Sequence, residues 1–244
     1  MKEKLKLEAQ VTKVESEKMP ELKALASVQF GGFRINNIRV IERETIKNGN
    51  MVTQNVVFFP QHKGTNKDGE NEYKDIVTFG KDEEQGKKLR NVISNMIIKG
   101  LEGEEKTTKI SKETDFEIDK DFVSAYINPT PNSEKILGAG TVYYGGLISI
   151  KPVYLKEVTN SETNEKFNAI NFETRVNKDN EYSEVVFPNQ EGLRKKCVEE
   201  SMKSLKKNKE QLNEDSKDEK EEKSTKKNSN KKKKQKEEQE DAEL

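Results

Sequence analysis

The chain has one cysteine, one histidine and no tryptophan in 244 residues. A single Cys197 excludes an internal disulfide and every multi-cysteine metal pattern, and it fits a reducing compartment. A single His62 means that any histidine-based triad depends on it, and no serine elbow or paired-carboxylate motif accompanies it. Cys197 falls on the apolar side of an expected helix, where a thiol packs rather than attacks. Long apolar runs are missing too. Nothing approaches the ~20 residues that span a bilayer, and the opening MKEKLKLEAQ holds no signal-peptide core. These absences point to a non-enzymatic cytoplasmic protein with no cofactor, metal, membrane association or small-molecule substrate.

Hydrophobic residues make up 30% of the chain and charged residues 37%, so part of it lacks the means to build a core. Residues 206–244, almost entirely Lys, Glu, Asn, Ser, Gln and Asp, read as a disordered charged tail. Within it the basic KKKKQK run (231–236) is largely offset by Glu237, Glu238, Glu240 and Asp241. A second polar stretch, 101–120, follows glycines at the end of a helix-like run and reads as a linker. The 45 Lys+Arg against 45 Asp+Glu exclude a uniformly basic nucleic-acid coat but not local patches.

What is present is a repeat. LKLEAQVTKV (5–14) alternates apolar and polar residues like a half-buried strand, and FVSAYIN (122–128) takes its place later in the chain. LKALASVQF (22–30) and ILGAGTVYY (136–144) each run into Gly-Gly, a hairpin signal because glycine reaches positive φ without steric penalty. On the returning strands Ile35, Ile38 and Val40 match Ile150, Val153 and Leu155 if the second turn is one residue longer. Asn55 then matches Asn168, Phe59 matches Phe172, Tyr73 matches Tyr182, and Asp75 matches Glu184. Each half closes on a helix. In the first, Leu89, Val92, Ile93, Met96 and Ile97 form one apolar stripe; in the second a weaker stripe runs through Leu193, Cys197, Val198, Met202 and Leu205. The expected fold class is α+β: two tandem small domains, 1–100 and 121–205, each a hairpin-rich antiparallel sheet with a C-terminal helix.

Four motifs in order, LKALASVQFGGFRINNIRVIE, VVFFPQHK, EYKDIVTF and the LRNVI helix, resemble the SpoVG family of bacterial stage V sporulation and septation regulators. The second half resembles a diverged copy, with Glu173 in place of Pro60 and Ser183 in place of Lys74. The resemblance implies a small α+β domain that assembles as a homodimer. It also implies site-selective binding of DNA, and of RNA in some members, in gene regulation linked to sporulation and septation. A tandem chain leaves two assemblies open, an internal pseudo-dimer favoured by tethering or a homodimer.

Nucleic-acid contact needs cations for phosphate and forked donors for bases. On the first helix Lys87, Lys88, Arg90, Asn91, Asn95 and Lys99 lie off the apolar stripe, and Arg39 and Lys74 fall on strands. His62 and Lys63 stand where the family has its basic turn. Arg175, Arg194, Lys195 and Lys196 are second-rank candidates because the second half is the acidic one. Phe30, Phe33, Phe58, Phe59, Tyr143 and Tyr144 are aromatics able to stack bases, although alternation along strands assigns most of them to the core. The bland reading of all these cations is a solvated surface. The competing function is a protein-interaction or scaffold module tied to cell division.

Overall fold

The structure, a computed structural model, describes residues 2–47, 49–66, 68–131, 133–176 and 180–212. In β1 (Lys2–Lys13) the alternation places Leu5, Leu7, Ala9 and Val11 inside and polar side chains outside. β2 (Leu22–Phe30) turns through Gly31-Gly32 into β3 (Phe33–Lys47), and β4 (Asn50–Phe58) runs back along β3. Gly31 has φ +56, and a Cβ there would lie 2.9 Å from both Ile118 Cδ1 and Tyr144 Oη, so the turn needs glycine twice over. A detached hairpin of β5 (Gln61–Thr65) and β6 (Asn71–Asp75) follows, then the short β7 (Val77–Phe79) and helix α1 (Glu83–Leu101).

The second half repeats this order. It has β8 (Thr107–Pro129), β9 (Ile136–Gly145), β10 (Ile148–Thr159), β11 (Lys166–Phe172), β12 (Thr174–Val176), β13 (Tyr182–Glu184) and β14 (Val186–Pro188), then helix α2 over 193–212. Helix α1 is capped by the Asp82 carboxylate, which accepts from Gln85 N at 2.8 Å, with Glu83 and Glu84 in its first turn and Lys99 in its last. It buries Leu89, Ile93, Met96 and Ile97, each contributing roughly 1.5–3 kcal/mol by leaving water.

The two halves are not two domains. One ten-stranded antiparallel sheet runs β11-β10-β9-β8-β1-β2-β3-β14, with β4 also on β3 and β7 also on β10. The tandem-domain expectation fails at two joints. First, β1 and β8 pair edge to edge, from Lys2 with Asp119 to Thr12 with Thr107. Second, each half donates its last strand to the other: β7 lies on β10 and β14 lies on β3. The exchange is reciprocal. Asn36 N donates to Val185 O at 2.7 Å and Lys151 N donates to Ile76 O at 2.9 Å. A single core cluster therefore runs from Leu5 to Leu205, and neither half closes its sheet alone. At this seam Tyr144 is fully buried, its hydroxyl accepts from Gly32 N at 2.8 Å, and burial raises its pKa.

Two boundaries move as well. The stretch read as a linker, 101–120, is strand from Thr107 onward; its charges line the exposed face and mask a ladder with β1. Helix α2 continues to residue 212, past the expected tail boundary at 206. It does so because it covers an edge. Lys196 Nζ donates to Asp121 O at 2.5 Å, Ser204 Oγ accepts from Ile127 N at 2.9 Å, and Asn208 Nδ2 donates to Ile127 O at 2.8 Å. The tail beyond, 213–244, including the KKKKQK run, lies outside the described residues. Among the described residues no helix is long and apolar enough to cross a membrane.

Candidate nucleic-acid interface

The expected helix face is exposed but charge-matched. Lys87 pairs with Glu83 and Lys88 with Glu84, both at 2.6 Å and one turn apart, while Asn91, Asn95 and Lys99 are exposed beyond them. Such pairs are weak, and the two lysines can be drawn away by a phosphate. The two acids still cancel much of the field that would attract it.

Arg90 belongs elsewhere. Its Nη1 donates to Asp75 Oδ2 at 2.6 Å, and its guanidinium lies 4.6 Å from the Phe59 ring centroid. The second half builds the same clamp: Arg194 reaches both Glu184 oxygens, donates to Ile170 O at 3.1 Å, and lies 5.5 Å from the Phe172 centroid. Arg90 ties its helix to the preceding strands by one such bond, whereas Arg194 spends its whole fork on Glu184. These two arginines fasten the fold from inside the chain while staying partly exposed.

The small hairpins are tied together in the same way. His62 Nδ1 lies 3.3 Å from Glu173 Oε1, and Arg175 Nη2 donates to Gln61 O at 2.9 Å, so β5 and β12 hold one another. Lys74 pairs with Glu72 at 2.9 Å, Lys63 is exposed on β5, Lys195 is exposed on α2, and Lys196 serves the β8 edge. Of the aromatics, Phe30, Phe33, Phe59 and Tyr144 are core, whereas Tyr143 is exposed and Phe58 lies under Arg43.

Arg39 alone among the first-rank residues stands on the outer face of the sheet, across the sheet from α1, which packs on its inner face. There it has company that sequence reading missed. Arg34 Nη2 donates to Ser27 Oγ at 2.8 Å and reaches Gln10 Oε1 at 3.4 Å, and Arg43 lies 4.6 Å from the Phe58 centroid. Arg39 sits in register between Leu25 and Phe58. Arg34, Arg39 and Arg43 thus line one side of β3, and among the described residues none of them forms an ion pair. Leu25, Ser27 and Gln29 of β2 and Val56 and Phe58 of β4 share that face and carry no acid, and Glu8 of β1 is taken by Lys6 at 3.1 Å. Plain alternation loses this row, because Asn37 at φ +58 and the register shift beside it change which residues point outward. A shallow groove of about 450 Å³ runs beside Arg34, lined also by Gln10, Gln29, Lys109, Ser111 and Asn189.

No protein-family model, curated protein or solved structure matches this chain.

Proposed function

We propose that the protein is a non-enzymatic nucleic-acid-binding regulator of the bacterial cytoplasm, of the kind its SpoVG-like motifs imply, acting in gene regulation linked to sporulation or septation. The observation that carries this reading is the arginine row on the outer face of β3. Among the described residues none of the three guanidiniums has an acid partner: Arg34 is held by a serine and a glutamine, Arg43 lies over an aromatic ring, and Arg39 stands between them. Arg39 and Arg43 are four residues apart, roughly 13 Å along a strand, a span that one phosphate backbone can cover. Lys87, Lys88, Asn91, Asn95, Lys99 and Lys63 serve as outlying contacts for the same polyanion.

The test is a fluorescence-anisotropy titration of the full chain with labelled DNA and RNA at two salt concentrations. Binding should weaken with salt, and R34E/R39E/R43E should flatten the log–log slope by about two to three. Absence of salt-dependent binding to every nucleic acid sinks the reading. A protein-interaction module is the second reading. It is favoured by Ile46 and Met51, cross-strand partners at the β3–β4 tip that are 78% and 70% exposed.

A further inference from the structure

The outer face of the second half carries aromatic rings where the first half carries cations and amides. Phe122 and Tyr126 on β8 and Tyr143 on β9 are 44%, 54% and 41% exposed, and Tyr154 on β10 is half-buried on the same face. The matching strand registers put Lys6, Gln10, Gln29 and Arg39 at the equivalent places in the first half. Core packing accounts for none of the four rings, because the inner face is filled by Val123, Ile127, Val142, Tyr144, Val153 and Leu155.

The three tyrosines are set against small neighbours. Tyr143 stands in register between Ser124 and Ser149, Tyr126 opposite Thr141, and Tyr154 opposite Ala139. Among the described residues none of the four stacks on another ring. Phe122, Tyr126 and Tyr143 are therefore exposed without a ring partner. Tyr143 is one diagonal step from Tyr126, a separation of about 7–8 Å on a sheet. The two rings are thus near enough for one oligonucleotide to touch both. A groove of about 550 Å³ lies between Phe122 and Tyr143, lined also by Ser124, Ser149 and Lys81, while Tyr126 and Tyr154 stand outside it. The Lys81 stem crosses the Gly145-Gly146 turn, 3.7 Å from where a Cβ on Gly146 would be. Asp115, Glu117 and Asp119 gather in the neighbouring groove on the far side of Phe122.

We propose that Phe122, Tyr126, Tyr143 and Tyr154 form a stacking platform for unpaired bases, so that the ligand is single-stranded nucleic acid whose backbone continues onto Arg34, Arg39 and Arg43. The inference rests on the nucleic-acid reading above and narrows its ligand. A duplex keeps its base faces stacked inside and offers the rings nothing, whereas a single strand offers both faces and phosphates. Continuity of the aromatic half with the basic half of one sheet favours a polyanion with flat groups over a protein partner.

The experiment uses the full chain, a labelled single strand of DNA or RNA, and a duplex of the same sequence at one salt concentration. The single strand should bind more tightly and should quench tyrosine emission, which no tryptophan obscures. Y126A/Y143A should lose roughly five- to a hundredfold in single-strand affinity for each ring removed, with duplex affinity and melting temperature unchanged. Y126F/Y143F should keep the affinity. If wild-type protein binds no nucleic acid at all, the broader reading fails. If it binds strand and duplex alike, or Y126A/Y143A retains the single strand, only the platform is overturned and the face is left to a protein partner. Equal loss on strand and duplex overturns it as well.

Discussion

Arg90, Asp75 and Phe59 in the first half and Arg194, Glu184 and Phe172 in the second make the same clamp with the same parts. On the outer face of the large sheet, Gln10, Gln29 and Arg39 of the first half stand at the places that Tyr126, Tyr143 and Tyr154 take in the second. The clamp and the exchanged strands are bound by geometry, because each touches a core shared by both halves. The outer face touches only solvent, so its side chains are free to differ. The edges diverge too. The open side of β1 is covered by the first part of β8, whereas β8 beyond Asp121 is covered by the polar side of α2.

The sharpest way to break this comparison is to place a charge in an exchanged strand. Val77 and Val186 are both fully buried, one in each donated strand. V77D and V186D should each destabilise the whole chain by about 3–5 kcal/mol, since an unpaired charge has no solvent there. Urea unfolding followed by two probes should show one shared transition moving down. Survival of an untouched second transition in either variant would mean that the halves stand apart.

A smaller effect is expected at the β8 edge. S204A/N208A leaves the amide and carbonyl of fully buried Ile127 without their α2 partners, at about 1–3 kcal/mol for each lost bond. Amide exchange at Ile127 should accelerate, with the corresponding position in β1, Val11, unaffected because a strand guards it. Unchanged exchange would show that α2 merely lies alongside.

The smallest effect concerns the clamps. Both are partly exposed, so R90A and R194A should each lose only about 1 kcal/mol, read as a small drop in melting temperature. R194A should lose slightly more, because Arg194 also holds the Ile170 carbonyl. The reverse order would undo the equivalence drawn between the two devices.

Local order was readable from residues, and long-range joining was not. The Gly-Gly turns, the register Ile35–Ile150 and Val40–Leu155, and the α1 stripe follow from spacing and glycine chemistry, which act over a few residues. The β1–β8 ladder could not be read in this way. The charges in TTKISKETDFEIDKD that suggested a linker belong to a strand with one wet face, and only its distant partner reveals the ladder. The site failed for a related reason. Arg90 sits off the helix's apolar stripe, as an exposed cation does, yet Asp75 and Phe59 reach it from strands that the helical wheel omits. Arg34 and Arg43 were overlooked because one left-handed asparagine resets the alternation between them.

The reciprocal strand donation also governs how the molecule comes into being. Asn36 finds its partner Glu184 only after 148 further positions have been polymerised. During vectorial synthesis the leading segment emerges from the ribosome with one flank of its sheet bare, and it completes itself only when nearly everything described has been translated. A nascent chain of this kind exposes an unpaired strand edge, which favours aggregation until the partner strand arrives. Slowing translation anywhere before Val186 should therefore lower the yield of native protein more than slowing it afterwards.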